Sequence, residues 1–108
     1  MGSIKQYEVY WVKLDPTVGS EIKKTRPCVV ISPDEMNSSL NTIIVAPLST
    51  KLKHYPTRVK TELKGTASWI ALDQMRSIDK TRLYKRIDTI KTSIARQVRQ
   101  IIRAMLVD

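Results

Sequence analysis

The side chains best suited to chemistry in this sequence are one arginine, a pair of hydroxyls and a polar segment further along the chain. Arg26 precedes a proline at the start of an apolar run, and Ser49 and Thr50 end a second apolar run. The polar segment covers residues 73–76. An arginine offers a planar fork of donors that matches phosphate oxygens, and hydroxyls donate to phosphate and orient reacting groups. These residue types favour chemistry on a phosphodiester.

Other hydrolytic chemistries need side chains that this chain does not have in sufficient number. The sequence contains one histidine and one cysteine, whereas a metal hydrolase needs several His, Cys, Asp or Glu ligands that converge. His54 alone excludes a two-histidine nuclease mechanism. Cys28 lies within the apolar run 28–31, so we expect a buried thiol rather than a nucleophile. We therefore expect no metal and no other cofactor.

RNA would need little catalytic apparatus from the protein. Its 2′-hydroxyl lies beside the phosphate and acts as an internal nucleophile, so proximity is supplied by the substrate. The protein must align this hydroxyl, help to remove its proton, stabilise charge at phosphorus and protonate the leaving 5′-oxygen. Because the pKa of arginine exceeds roughly 12, it is a poor base, and we expect Arg26 to stabilise charge first and deliver a proton second. The base itself stays open.

The charge balance predicts a polyanionic partner. Nineteen Lys and Arg residues against ten Asp and Glu residues give a net charge of +9 and an isoelectric point near 9.9. Such an excess favours nucleic acid, and the alternative is a merely solvated basic surface. No apolar run approaches the roughly 20 residues that span a membrane, and no secretory signal is visible. We expect one cytoplasmic domain over residues 1–108.

Apolar periodicity predicts a mainly β (α+β) fold, a small twisted sheet or barrel with short helical turns and a C-terminal amphipathic helix. The predicted strands cover residues 8–14, 27–32, 41–48, 57–63, 68–72, 74–78 and 84–87, and the predicted helical turns cover 32–35 and 79–83. Ser32 is predicted to cap the first of these turns. Residues 17–25 are polar and predict a long mobile loop. Trp11 and Trp69 are predicted to lie in the core.

The C-terminal segment has helical spacing. Its predicted apolar face carries Ile94, Val98, Ile101, Ile102, Met105 and Leu106, and Thr92 or Ser93 is predicted to cap it. Its opposite face carries Arg96, Arg99, Gln100 and Arg103. We interpret these arginines chiefly as solvated, with contact to RNA or to a partner as the alternative.

Five sequence blocks carry a resemblance to a known family. Residues 9–21 read VYWVKLDPTVGSE, followed by KTRP at 24–27 and VVISP at 29–33; VAPLST follows at 45–50 and ALDQMRSID at 71–79. These blocks, with the Tyr55-Pro56 pair, resemble the MazF/PemK family of bacterial toxins in the family's order. The resemblance runs from about Glu8 to the C-terminal helix.

The resemblance implies a homodimeric toxin of a type II toxin–antitoxin pair, with an SH3-like barrel and a C-terminal helix. It implies sequence-specific, metal-independent cleavage of single-stranded mRNA that leaves a 2′,3′-cyclic phosphate and a 5′-hydroxyl and so inhibits translation and growth. It also implies a cognate antitoxin whose disordered acidic C-terminal segment covers the RNA groove.

Carried over position by position, the resemblance places the catalytic arginine at Arg26 and the catalytic threonine at Thr50, with Ser49 beside it. The predicted RNA-binding side chains are Glu21, Lys51, Lys53, Tyr55, Asp73, Gln74 and Arg76. Some family members carry an Arg-x-Asp pair where this chain has Ala71-Leu72-Asp73. An acid/base assignment of that kind therefore lacks its arginine, and Arg76 is the candidate to substitute for it from a different direction. The first strand also opens with Tyr7-Glu8 instead of the usual Gly-Asp.

A non-catalytic alternative stays open at this point. Small basic β barrels also bind nucleic acid or protein without chemistry, as in a toxin that poisons DNA gyrase, and a fold does not dictate a function. Arg26 together with Thr50 favours the enzyme, because a poison that acts through protein contacts needs neither residue.

Overall fold

Short runs rich in apolar and β-branched residues, some of them alternating with polar residues, form antiparallel strands. The computed structural model describes residues 3–14 and 25–108. In this part of the chain the elements are β1 (Glu8–Lys13), β2 (Thr25–Val30), α1 (Asp34–Ser39), β3 (Thr42–Ser49), β4 (Arg58–Leu63), β5 (Thr66–Ala71), β6 (Arg76–Asp79), β7 (Leu83–Thr89) and α2 (Thr92–Leu106). Single 3₁₀ turns cover Leu72–Gln74 and Lys80–Arg82.

The strands form one curled sheet in the order β4-β5-β3-β2-β1-β7, and β6 also pairs with β3. β3 holds the sheet together because it pairs with three strands. Val45 pairs with Val30 of β2 on one edge and with Arg76 of β6 on the other. β5 joins that second edge further along, where Leu48 pairs with Ile70. The 3₁₀ turn Leu72–Gln74 therefore connects two strands that lie on the same edge of β3.

Alternation along the central strands divides the interior into two cores. Side chains such as Val29 and Leu48 lie in a core that α2 covers with Ala95 and Val98. Their neighbours in sequence, such as Cys28 and Val30, face the other way into a second core, as the strand period of two requires. Because both clusters consist of buried side chains, β2 and β3 are buried on both faces along much of their length.

The helix α2 forms as its apolar spacing predicts, but its ends differ from the prediction. Lys91 is the N-cap residue and no side chain caps the helix, so the predicted caps at Thr92 and Ser93 are wrong. Leu106, the last residue of the helix, is largely exposed and does not join the buried apolar face. The predicted serine cap of α1 is also wrong, since Ser32 is buried and its hydroxyl donates to the Oδ1 atom of Asn37.

The prediction of a mainly β fold with a C-terminal helix is confirmed, with the sheet curled as a half-barrel. The predicted strand at 74–78 begins only at Arg76, because Gln74 belongs to the preceding 3₁₀ turn. The predicted loop 17–25 lies outside the described residues except for Thr25, which begins β2. Among the described residues, no helix is long and apolar enough to cross a membrane.

Candidate active site

An open cleft of about 690 Å³ lies where the ends of several strands meet, and we call it the active-site cleft. Its lining consists of Trp11 of β1, residues 25–27 of β2, residues 48–51 at the end of β3, and Leu63, Thr66 and Ser68 of the β4–β5 hairpin. The structure therefore brings Arg26, Ser49, Thr50 and Lys51 together from two segments. The described lining contributes hydroxyls and cations but no carboxylate.

Arg26 reaches the cleft because of the register between β2 and β3. Cys28 of β2 pairs with Pro47 of β3. Arg26 lies two residues before Cys28 and Ser49 two residues after Pro47, so the antiparallel register places Arg26 level with Ser49. Arg26 is half-buried, and its guanidinium makes no hydrogen bond or ion pair with any other described residue. Its donors are therefore not taken up by the described part of the chain, and the residue lines the cleft.

The hydroxyl pair lies at a chain reversal. The backbone N–H of Lys51 donates to the Oγ atom of Ser49 at 3.1 Å, which closes the turn that follows β3. Thr50 is at this turn and is exposed, as is Lys51. Ser49 therefore helps to shape the turn, whereas the Thr50 hydroxyl and the Lys51 ammonium line the cleft without a partner among the residues described.

Trp11 corrects one prediction. It was expected in the core, but it is half-buried and forms part of the cleft wall. It pairs with Pro27 near the end of β1, and both residues line the cleft, so the sheet face it occupies is open to solvent there. The apolar–polar alternation along the strand predicts the correct sheet face for Trp11. It does not predict where along the strand that face becomes accessible to solvent.

A second polar cluster forms around Arg58, which the sequence analysis did not single out. Its Nε atom lies 3.3 Å from Oδ1 of Asp73, and its Nη1 atom donates to the carbonyl of Lys53 at 3.2 Å. The Thr57 hydroxyl donates to the same Asp73 oxygen at 3.0 Å. The guanidinium also lies 5.5 Å from the ring centroid of Tyr55, within cation–π range. Lys53, Tyr55 and Asp73 thus share one neighbour, and we call this group the Arg58 cluster.

The partner of Asp73 also differs from the prediction. Arg58 pairs with Ala71 in the β4–β5 ladder, so the guanidinium reaches Asp73 from the neighbouring strand, at the level where the family resemblance leaves an arginine missing. Arg76, the predicted replacement, lies on β6 opposite Val45 and is exposed. Gln74 is exposed in the 3₁₀ turn. Asp73, Gln74 and Arg76 all lie outside the described lining of the cleft.

Two ionisable groups are shifted in ways that bear on the chemistry. Partial desolvation raises the pKa of Asp73, but hydrogen bonds from Arg58 and Thr57 outweigh it and hold the pKa below its usual value. Burial raises the pKa of the Cys28 thiol to about 12, against a smaller opposing effect of the Arg76 and Arg26 charges. Cys28 is therefore a buried neutral thiol, as predicted.

Aromatic side chains lie beside the hydroxyl pair. His54 and Trp69 make an edge-to-face contact with 5.5 Å between ring centroids, and Trp69 pairs with Ser49 in the sheet. Trp69 is half-buried rather than fully in the core, and His54 is exposed. The candidate Glu21 lies outside the described residues. Within residues 3–14 and 25–108, no three His, Cys, Asp or Glu side chains are grouped closely enough to hold a metal.

Comparison with known proteins identifies the family. The family model described as PemK-like, MazF-like toxin of type II toxin–antitoxin system matches residues 5–106. The chain belongs to the PemK/MazF toxin family. A curated relative, Endoribonuclease EndoA of Bacillus subtilis (strain 168), is 33% identical over 109 residues, which cover 95% of this chain and 94% of the relative. The predicted family is confirmed, and the name of this relative agrees with the predicted enzyme class.

Solved structures of MazF proteins share the fold of this MazF-family toxin. A MazE–MazF structure from Deinococcus radiodurans matches with a TM-score of 0.85 at 22% identity, covering 98% of this chain and 97% of that one. The Mycobacterium tuberculosis toxin MazF-mt6 matches with a TM-score of 0.75 at 19% identity, covering 90% and 93%. At these identities the likeness supports the fold of the toxin.

Proposed function

We propose that this MazF-family toxin is a sequence-specific, metal-independent endoribonuclease that cleaves single-stranded mRNA in the cytoplasm and thereby inhibits translation and growth. The observation that carries the proposal is that Arg26, with its guanidinium, and Thr50, with its hydroxyl, line one open cleft. Neither group is occupied by another described side chain. The whole chain would act as one toxin domain.

The proposed reaction is an internal transesterification. The 2′-oxygen of the scissile nucleotide attacks phosphorus, the bond from phosphorus to the 5′-oxygen breaks, and the products are a 2′,3′-cyclic phosphate and a 5′-hydroxyl. One proton leaves the 2′-oxygen and one reaches the 5′-oxygen, so the reaction neither gains nor loses a proton. Negative charge grows on the phosphoryl oxygens in the transition state, and cations that are already in place stabilise it without reorganisation.

Arg26 is the main source of that stabilisation. A guanidinium stays charged in proteins, and its fork of donors suits two phosphate oxygens. Arg26 is half-buried at the cleft, where a charge acts more strongly than in open water. Arg26 therefore binds the phosphate and delivers a proton to the leaving oxygen as a secondary role.

The turn after β3 supplies the remaining contacts to the scissile phosphate. Thr50 donates its hydroxyl to a phosphate oxygen, and Lys51 adds a second positive charge at the cleft. Ser49 contributes mainly through the turn, because its Oγ atom already accepts the Lys51 N–H.

Neighbouring nucleotides are held by stacking and by the remaining polar side chains. Sequence-specific recognition of RNA usually uses unstacked bases that lie on aromatic rings. Trp11 lines the cleft. Tyr55 is 55% exposed and follows the Thr50 turn closely in sequence. Lys53 contacts the backbone, and the Gln74 amide reads a base edge. Glu21, Asp73 and Arg76 complete the proposed RNA-binding set.

Two protein partners belong to the proposal. One is a cognate antitoxin, in keeping with the family, whose acidic C-terminal segment blocks the cleft. The other is a second copy of the chain, since we propose that the toxin is a homodimer. Size-exclusion chromatography with light scattering measures the homodimer directly, and a mass of one chain at micromolar concentration would contradict it.

Cleavage of a long single-stranded transcript in excess EDTA tests the catalytic proposal. We expect cleavage at a limited set of sequences, with 2′,3′-cyclic phosphate and 5′-hydroxyl ends, and the same rate with or without added Mg²⁺. Intact RNA in the presence of confirmed dimer would favour the non-catalytic alternative. Products with a 3′-phosphate formed without a cyclic intermediate would contradict attack by the 2′-hydroxyl.

A further inference from the structure

Two aromatic rings, those of His54 and Trp69, meet on the outer face of the β4–β5 hairpin, and we call this pair the aromatic corner. Ser68 and Ile70 are buried on either side of Trp69 in β5, whereas Trp69 itself is only half-buried. Because strand side chains alternate between two faces, Trp69 lies on the face that turns away from the core. His54 reaches the same face from the segment that follows the Thr50 turn.

The arrangement of the two rings suits a planar ligand. Their centroids lie 5.5 Å apart, and the angle between their planes is 79°. A nucleobase that stacks on one ring therefore turns its edge toward the other. A neutral imidazole offers one donor and one acceptor, and an indole offers one N–H donor. The corner can thus stack on a base and also hydrogen-bond to its edge, the combination by which proteins read unstacked RNA bases.

The polar atoms of the aromatic corner have no hydrogen-bond partner in the described part of the chain. Their edge-to-face contact is the interaction that the structure gives for the rings of His54 and Trp69. No buried side-chain nitrogen or oxygen among the described residues lacks a partner, so the unpartnered indole N–H of Trp69 is accessible. His54 is exposed. A ligand would therefore displace no hydrogen bond of the described chain.

The segment that carries His54 is held through both of its chain neighbours. The Nη1 atom of Arg58 donates to the Lys53 carbonyl at 3.2 Å. The same guanidinium lies 5.5 Å from the ring centroid of Tyr55. These contacts position the imidazole before a ligand arrives, which lowers the entropy that binding must cost.

The aromatic corner adjoins the active-site cleft. Trp69 pairs with Ser49 in the sheet, and Ser49 lines the cleft. On its other side Trp69 pairs with Lys60 of β4, and Lys53 directly precedes His54; both lysines are exposed and can contact phosphates. A base in the corner would therefore belong to a nucleotide close to the scissile phosphate.

We propose that the aromatic corner is the subsite that binds one unstacked nucleobase beside the scissile phosphate and determines the base preference at that position of the cleaved sequence. The inference rests on the proposed ribonuclease function and adds His54 and Trp69 to its RNA-binding side chains. A peptide fits poorly, because the exposed residues paired beside Trp69 are Lys60, Glu62 and Ala67, which form no apolar groove.

Sequencing of the ends cut in a pool of random single-stranded RNA tests the subsite. His54→Ala and Trp69→Leu should each lower the base preference at one and the same position, by roughly fivefold or more, and leave the other positions unchanged. Tyr84→Leu is the matched control, because it removes an exposed ring from β7 at the other end of the sheet, and it should preserve the whole profile. A uniform loss at all positions would overturn the subsite, as would unchanged preferences in both variants.

Removal of the base itself measures the contact directly. In an RNA analogue with a 2′-methoxy group at the scissile nucleotide, an abasic substitution at that position should weaken binding to the unmodified chain roughly fivefold or more. It should weaken binding to the double variant His54→Ala, Trp69→Leu less than twofold, because this variant has no corner to lose. Equal losses in the two proteins would overturn the inference.

Trp69→Phe separates the base contact from folding, because it keeps a ring at a half-buried position. It should retain the unmodified Tm and lose less than threefold of the base preference, whereas a loss as large as that of Trp69→Leu at an unchanged Tm would contradict stacking. An unmodified chain that cuts no RNA in EDTA would contradict the proposed function itself. Normal cleavage with unaltered preferences in the variants would contradict the inference alone.

Discussion

Arg26 and Arg58 lie on different strands of one sheet, and their surroundings are opposite. Arg58 is engaged on every side, by the Asp73 carboxylate, the Lys53 carbonyl and the Tyr55 ring. Arg26 lines an open cleft and has no partner among the described residues. Both side chains are half-buried, so burial alone does not distinguish them. The difference lies in whether the guanidinium donors are already satisfied.

This difference assigns different tasks to the two arginines. An arginine whose donors are satisfied by its own chain holds local structure in place, and here it ties the segment after Thr50 to the 3₁₀ turn that carries Asp73. An arginine whose donors are unsatisfied in a partly desolvated cleft can bind a phosphate at little cost in rearrangement. Four predictions test this assignment, in order of decreasing expected effect.

Arg26→Ala should lower the cleavage rate by roughly a hundredfold to a thousandfold, the usual loss when one transition-state donor is removed. Single-turnover cleavage of the mapped RNA sequence measures this effect. Arg96→Ala is the matched control, because it removes an exposed arginine outside the cleft, and its rate should be unchanged. Normal cleavage by folded Arg26→Ala would break the comparison, since Arg26 would then be no more important than any other surface cation.

Arg26 is also the residue that the sequence located best, and the reason is local. Its block of neighbours, including Pro27, carries the family resemblance, and the predicted strand 27–32 begins directly after it, although β2 itself begins earlier, at Thr25. The Arg58 cluster could not be predicted in the same way. Its central contact joins β4 to the turn after β5, and it depends on the pairing of Arg58 with Ala71, a register that local sequence does not determine.

Trp11 shows a second limit of sequence analysis. Alternation gives the face on which its side chain lies, but its burial depends on where that face opens into the cleft, which is a property of the assembled fold. The caps of α2 and α1 were wrong for a related reason. Thr92, Ser93 and Ser32 are suitable capping types, but the packing of the sheet fixes where each helix begins and gives the Ser32 hydroxyl a buried partner in Asn37.

Thr50→Val should lower the cleavage rate by about tenfold to a hundredfold. It removes a hydrogen bond to a charged phosphate, worth about 1.5–3 kcal/mol, and keeps the shape of the side chain. Thr89→Val, at an exposed threonine of β7, should leave the rate unchanged. If Thr50→Val cleaved at the normal rate, the cleft would stabilise charge through Arg26 and Lys51 alone.

Tyr55→Leu should weaken RNA binding by roughly fivefold to tenfold, because stacking of one base on an aromatic ring is worth about 1–3 kcal/mol and leucine retains part of the apolar contact. Tyr84→Leu is the control, since Tyr84 is 66% exposed on β7. Affinity is measured with an analogue of the mapped sequence that carries a 2′-methoxy group at the scissile nucleotide. Equal losses of RNA affinity in both variants would show that Tyr55, beside Arg58, contributes no more to RNA binding than the exposed Tyr84.

Asp73→Asn and Arg58→Gln should have the smallest effects, a few-fold rise in KM with little change in kcat, because each loosens the segment that carries Lys53 and Tyr55. The hydrogen bonds that lower the pKa of Asp73 make its contribution to stability complete above the unfolded pKa of about 3.9, and this contribution is lost as the pH falls through the lower folded value. The difference in Tm between the unmodified chain and Asp73→Asn should therefore be constant from about pH 5 to 8 and shrink below about pH 4. A large fall in kcat for Arg58→Gln, without one for Asp73→Asn, would mean that Arg58 also contacts the phosphate and that the contrast with Arg26 is one of degree.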